Sequence, residues 1–210
     1  MQQILSDIST ALQNGRAKVV KELVTTALEQ NFSAQEILGA MLDGMSIVGA
    51  KFKADEIFVP EVLISARALN QGLEIIKPIL TETGVKPIGK AVIGTIKGDL
   101  HDIGKNLVKM MLIGAGLEVI DLGVDVSPET FVQSAQDNGA KLICISALLT
   151  TTMTNMKGVI DELNARGIRD QYIVMIGGAP ITTAFAEEIG ADRYTPDAAT
   201  AAEVAKGFFE

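Results

Sequence analysis

The hydrophobic period of this chain changes once, near residue 82, and that change divides what its two parts can become. Up to about residue 81 the apolar residues recur at helical spacing. Ile4, Ile8 and Leu12 lie on one face, and Ile37, Met41, Met45, Val48 and Phe52 trace the face of another helix. Ser33 stands before such a run with Glu36 three positions on, the pattern of a capping box. Pro60 suits a first helical turn, ahead of Leu63, Ala66, Leu69, Leu73 and Ile76. The spacing predicts helices near 2–13, 16–30, 33–51 and 60–81. Four amphipathic helices on short connections predict a bundle.

Residues 82–90, which include Gly84 and Pro87, read as a linker between a helical domain at 1–81 and a second domain at 91–210. In the second part short β-branched and apolar runs alternate with amphipathic segments. Strands are expected at Ala91–Ile96, Glu118–Leu122, Leu142–Ala147, Tyr172–Ile176 and Arg193–Thr195, with helices near 103–115, 128–138, 152–166, 181–189 and 198–208. Strands this continuously apolar suit a parallel sheet buried on both faces. Right-handed crossovers then give a doubly wound, Rossmann- or flavodoxin-like α/β domain of five parallel strands. Ligands of such sheets bind beyond the carboxyl ends of the strands. Gly94–Gly104, Ser146–Thr152 and Gly177-Gly178 fall there.

Charge and composition exclude several functions. With 18 basic against 26 acidic residues the net charge is −8, which disfavours a nucleic-acid duplex or an anionic membrane as partner. The N-terminal residues lack the basic and apolar regions of a signal peptide, and no apolar run approaches the roughly 18 residues of a membrane span. A cytoplasmic protein is expected. Cys144 is the single cysteine and sits in a strand-like run, where it reads as a small buried hydrophobe. One histidine and one cysteine cannot build a Cys/His zinc site. Neither a Gly-x-Ser-x-Gly elbow nor a P-loop is present. The chain is poorly equipped to activate a substrate alone, so whether it is an enzyme by itself stays open.

The one histidine, His101, lies in Gly98-Asp99-Leu100-His101-Asp102-Ile103-Gly104, between a strand and a helix. A metal-ligating imidazole usually donates its second N–H to a carboxylate or carbonyl, and Asp99 could accept it. A solvated loop histidine with two acidic neighbours is the plainer alternative. The spacing is not Gly-x-Gly-x-x-Gly, so a nicotinamide dinucleotide site is not expected.

Asp99-x-His101-x-x-Gly104, then Ser146-x-Leu148, then Gly177-Gly178, with residues 105–145 between the first two elements, resembles the B12-binding signature of base-off/His-on corrinoid proteins. Gly94-Thr-Ile-Lys-Gly-Asp-Leu-His-Asp-Ile-Gly-Lys-Asn and Asp121-Leu-Gly-Val are similar to the cobalamin module of methionine synthase. The helical half joins the resemblance through Asp43-Gly-Met-x-x-Val-Gly-x-x-Phe52 and Phe58-Val-Pro60. In size and layout the chain resembles the stand-alone corrinoid proteins of methyltransferase systems.

The resemblance implies cobalamin or a related corrinoid as cofactor, its cobalt bound by His101 in place of the cofactor's own base, with Asp99 behind the histidine. It implies that Ser146, Leu148, Thr150, Gly177 and Gly178 line the slot for the displaced nucleotide tail. Thr152 stands where methionine synthase has a serine that completes the His–Asp relay, and keeps the hydroxyl. Gly98, Leu100, Ile103, Gly104 and Ala198 are implied as further corrinoid contacts. Asp102 and Asn106 would contact corrin side chains or serve as loop and first-turn residues. Phe52 and Val59 match residues capping the methyl-bearing face, Val59 standing where leucine is usual; periodicity alone reads both equally well as bundle core.

The function implied is a methyl carrier. One methyltransferase would load cobalt(I) with a methyl group from methanol, a methylamine or an aryl methyl ether, the last as in O-demethylase systems. A second would deliver it to tetrahydrofolate or a thiol such as coenzyme M, and a reductive activating protein would rescue oxidised cobalt. The linker would be the hinge that lets the cap move. A B12-binding sensor or regulatory module is the alternative, followed by a mutase subunit and a flavodoxin-like domain for another cofactor.

Overall fold

A computed structural model describes residues 2–209, which form two compact units. One runs through Pro87, with Gly114–Gly116 grouped with it, and the other comprises the remaining residues from Ile88 onward. The first is four helices: α1 (Gln2–Gln13), α2 (Ala17–Glu29), α3 (Ala34–Lys53) and α4 (Val59–Glu82). The periodic apolar residues are its core, with Ile8, Leu12, Val20, Val24, Ile37, Met41, Met45, Leu69 and Ile76 buried. The helix ends are set by local chemistry. Ser33 Oγ accepts the Glu36 N–H at 3.2 Å while Glu36 Oε2 accepts the Ser33 N–H at 2.9 Å. At α4 the Glu61 carboxylate reaches back to the Phe58 N–H at 3.0 Å, just ahead of Pro60 in the first turn. A Cβ at Gly72 would overlap the Met41 sulfur, so glycine is what lets α3 and α4 pack there.

The second unit contains β1 (Lys90–Thr95), α5 (Ile103–Gly114), β2 (Glu118–Asp121), α6 (Pro128–Asn138), β3 (Leu142–Ser146), α7 (Thr150–Met153), α8 (Lys157–Ala165), β4 (Ile173–Gly177), α9 (Thr183–Ile189), β5 (Arg193–Tyr194) and α10 (Ala198–Gly207). All strand pairs are parallel, in the order β2-β1-β3-β4-β5. This is the flavodoxin-like doubly wound order, whose direction of winding reverses between β1 and β3. Val92, Ile143, Ile145, Val174 and Ile176 from the sheet pack with Phe131, Val132, Val159, Leu163 and Ile189 from α6, α8 and α9.

Register places the site. Thr95 pairs with Ser146, and Ser146 with Gly177. The loops after three adjacent strands therefore leave from one level, at the sheet's carboxyl edge.

Two segments depart from the pattern. The helix expected over 152–166 is instead α7, a 3₁₀ turn at Thr154–Met156 and then α8. Thr150, Thr151, Thr152 and Thr154 crowd its start, and β-branched residues lose side-chain freedom in a helix. The Thr152 hydroxyl is drawn elsewhere, as described below. A second 3₁₀ turn, Arg169–Gln171, delays β4 so that it starts at Ile173 rather than Tyr172. Among the described residues no helix is long and apolar enough to cross a membrane.

Candidate functional site

The loop from β1 to α5 begins as a turn: the Asp99 N–H donates to the Ile96 carbonyl at 3.0 Å, and Gly98 takes φ +88°, a left-handed conformation that favours glycine. The turn drives the Asp99 carboxylate inward, at the β1/β3 switch point, where the residue is fully buried. Its two oxygens do different work. Oδ1 faces its own loop, 2.7 Å from His101 Nδ1 and 3.1 Å from the His101 N–H. Oδ2 faces the β3 loop, accepting the Leu148 N–H at 2.8 Å, the Leu149 N–H at 3.2 Å and the Thr152 hydroxyl at 2.8 Å.

Burial alone would push the Asp99 carboxyl towards its neutral form. The bonds from the Leu148 and His101 N–H groups, the imidazole and Thr152 outweigh it and hold the carboxyl well below the ordinary range. Asp99 is thus a carboxylate, which can only accept. The imidazole proton therefore sits on Nδ1, and in the neutral ring Nε2 keeps its lone pair. Nε2 has no hydrogen-bond partner among the described residues, and the side chain is about half exposed (51%). A buried anion fixes one nitrogen while the other is offered outward.

The other predicted positions are distributed around this pair. Leu148 and Thr152 meet it directly through Asp99. Ser146 ends β3, half-buried, and Thr150 starts α7, exposed. Leu100 and Ile103, beside His101, are largely exposed, as are Leu148 and Leu149 opposite, and Val124 on the β2–α6 loop. Asp102 and Gly104 are exposed too, and Asp102 accepts the Asn106 amide at 3.1 Å, one helical turn on.

Gly177 and Gly178 lie one strand further away. A Cβ on Gly178, whose φ is +133°, would overlap the Ala147 carbonyl, so the protein itself requires glycine there. Ala198 is buried in the first turn of α10, which Asp197 caps at the Thr200 N–H, 2.8 Å away. Phe52 and Val59 belong to the helical unit, half-buried near the α3–α4 connection.

Several residues at the site were given no role by the sequence, although Thr95, Lys105 and Asp121 lie in the segments that carry the resemblance. The Thr95 hydroxyl, fully buried at the end of β1, donates to the His101 carbonyl at 2.8 Å. Asp125 accepts the Gly98 N–H at 2.7 Å and donates its own N–H to the Asp99 carbonyl at 3.0 Å. Asn155 donates to the Lys97 carbonyl at 3.0 Å. Behind the loop, Asp121 binds Lys105 Nζ at 2.5 Å, Lys109 Nζ at 2.9 Å and the Gly123 N–H at 3.0 Å. Burial opposes the Asp121 charge, but the lysines and that N–H prevail and lower its pKa to about 2.

These residues suit a flat metal complex that brings its own equatorial ligands. One exposed imidazole with an unpartnered Nε2 could give such a complex one nitrogen, and Leu100, Ile103, Leu148, Leu149 and Val124 are exposed apolar residues on the same set of loops.

Comparison with known proteins agrees with the geometry. Residues 89–205 match the B12 binding domain, and residues 4–77 match a second B12 binding domain family. A corrinoid protein of Desulfitobacterium hafniense is 39% identical over 206 residues, covering 96% of this chain and 95% of that protein. A trimethylamine corrinoid protein of Methanosarcina acetivorans is 40% identical over 196 residues, covering 92% and 91%. Among solved structures, the methanol:cobalamin methyltransferase complex of Methanosarcina barkeri matches with a TM-score of 0.89 at 30% identity. That match covers 100% of this chain and 80% of the other.

Proposed function

This chain belongs to the B12-binding family and binds a corrinoid, and from that premise we propose that it is the methyl carrier of a multi-component methyltransferase system. The corrinoid supplies a cobalt that accepts and gives up a methyl group. The chain's own residues do the rest. His101 Nε2 would hold the cobalt in place of the cofactor's own base, and Asp99 keeps the Nδ1 proton and the ring plane in place. Asp99 stays charged through its bonds to Leu148, Leu149 and Thr152, so its hold on the Nδ1 proton does not depend on the imidazole alone. Gly177, Gly178, Ser146 and Thr150 would border the slot for the nucleotide tail. The observation that carries this reading is the buried Asp99 carboxylate fixing one ring nitrogen while the other stays unpartnered.

The relatives point to the donor class. A trimethylamine corrinoid protein, a dimethylamine corrinoid protein and the corrinoid partner of a methanol methyltransferase are all similar over nearly the whole chain. Those names support methanol or a methylamine as the group that a substrate-specific methyltransferase loads onto the corrinoid; an aryl methyl ether, in an O-demethylase arrangement, is the further donor class proposed. A second enzyme passes the group to tetrahydrofolate or a thiol, and a reductive activator restores oxidised cofactor. The protein acts in the cytoplasm, and its catalytic power resides in these partners.

The test is loading. Reduced holoprotein is incubated with each donor class and its cognate methyltransferase, and formation of the methylated corrinoid is followed by visible absorption. Methylation with one donor class identifies the system. Failure with all three, while the same enzymes methylate free cobalamin, would end the carrier reading.

A further inference from the structure

The loop that carries His101 is bonded at almost every peptide group, and two of those bonds break local rules. Thr95 puts a hydroxyl in a strand whose other residues from Ala91 to Gly94 are apolar and buried. Valine has a similar outline and a similar preference for strands, so strand formation alone does not call for the oxygen. That hydroxyl is spent on the His101 carbonyl, at 2.8 Å. Asp125 sits at φ +55°, the left-handed region that costs a non-glycine residue. In that conformation its side chain takes the Gly98 N–H and its backbone N–H the Asp99 carbonyl, two residues before the histidine. The segment is zipped to β1 on both sides: Thr95 N–H reaches the Gly123 carbonyl at 3.0 Å, and Val126 N–H the Thr95 carbonyl at 2.9 Å. Places where sequence-level rules are broken inside an ordered structure tend to mark function.

We infer that Thr95 and Asp125 are positioning residues, a two-strand clamp that holds the Asp99–His101 loop in the geometry for binding cobalt. The inference rests on the ligand reading given above. A ligand on a pre-ordered loop binds without first losing loop freedom, so the clamp raises the ligated share relative to the free share. Each bond contributes as an ordinary hydrogen bond does, so losing one lowers the ratio of ligated to unligated imidazole by roughly 3- to 10-fold.

The experiment uses full-length holoprotein reconstituted with methylcobalamin, in which nitrogen ligation and its absence have distinct visible spectra. Thr95→Val deletes only the hydroxyl; Asp125→Gly deletes the carboxylate while easing the backbone. Thr95→Ser and Asp125→Asn keep an oxygen in place and are the rescues. His101→Ala defines the unligated spectrum. The expected result is a shift of both deletion variants towards that spectrum, with both rescues at wild type. In Asp125→Gly apoprotein, exchange of the Gly98 amide should also be roughly 10-fold faster or more.

Deletion variants that melt earlier but keep the wild-type ligated share would show that the two residues merely brace the fold, and would overturn the inference alone. If His101→Ala and wild type share one spectrum, the ligand reading itself fails and the clamp falls with it.

Discussion

Asp99, fully buried, and Asp121, partly exposed, stand near the ends of neighbouring strands and are both held ionised, yet by opposite kinds of partner. Asp121 is met by two ammonium groups, Lys105 and Lys109, and its charge is cancelled on the spot. Asp99 is met by backbone N–H groups, a hydroxyl and an imidazole, none of which need carry charge. Neutral donors stabilise an anion without neutralising it, so Asp99 keeps a net field to exert on His101. Asp121 fastens α5 to β2; Asp99 tunes a side chain that faces outward. Two carboxylates whose pKa values are both lowered thus have different roles, and the partners decide which.

The largest expected separation is between the two alanine variants. Asp99→Ala strands the Leu148 and Leu149 N–H groups and frees the imidazole. It should cost about 3–5 kcal/mol of unfolding free energy and slow methyl transfer by roughly 10- to 100-fold. Denaturant unfolding and transfer kinetics read the two effects. Asp121→Ala leaves Lys105, only 3% exposed, facing Lys109 without a counter-charge. It should cost about 2 kcal/mol, less because Asp121 itself is partly solvated, while the spectrum of the bound corrinoid stays at wild type. A changed spectrum would put Asp121 in the site and dissolve the comparison.

Acid sharpens the contrast. The folded pKa of Asp121 is lowered to about 2, from an ordinary aspartate value of about 3.9. Its contribution is therefore complete above the unfolded value and disappears as pH falls through the folded one. The stability gap between wild type and Asp121→Asn should narrow by about 1–2 kcal/mol between roughly pH 5 and pH 2, measured by denaturant titration. Asp99 is lowered further, so its share should persist to more acid solution than that of Asp121.

The smallest effects concern Thr152, which spans the two loops through Asp99. Thr152→Val removes one hydroxyl from a buried carboxylate and should cost about 1–2 kcal/mol. Thr152→Ser keeps the hydroxyl on Asp99 and should lie within about 0.5 kcal/mol of wild type by thermal unfolding.

What could be read ahead of the structure followed distance along the chain. The change of period placed the end of α4 at Glu82 and the start of β1 at Lys90 within a residue or two, because amphipathic spacing is local. Asp99 and His101 are two residues apart, so their pairing needed only a turn. The contacts from Leu148, Leu149 and Thr152 join positions 49, 50 and 53 residues apart, and exist because β3 lies beside β1. Periodicity does not specify that order. Asp125 and Asn155 were silent for the same reason: each is an unremarkable loop polar residue until the strand order sets it against Gly98 or Lys97. The Thr-rich start of 152–166 looked helical by its apolar spacing, but the pull of Asp99 on Thr152 and the crowding of β-branched residues broke it.

His101 is the only histidine in the chain, and this permits one decisive measurement. Protein grown on nitrogen-15 histidine is reconstituted with cobalamin, reduced to cobalt(II) and examined by electron paramagnetic resonance. If His101 is the axial ligand, the triplet splitting from ordinary nitrogen becomes a doublet in the labelled protein. A triplet that survives labelling would assign the nitrogen to the cofactor's own base, and the account of His101 and Asp99 would be wrong.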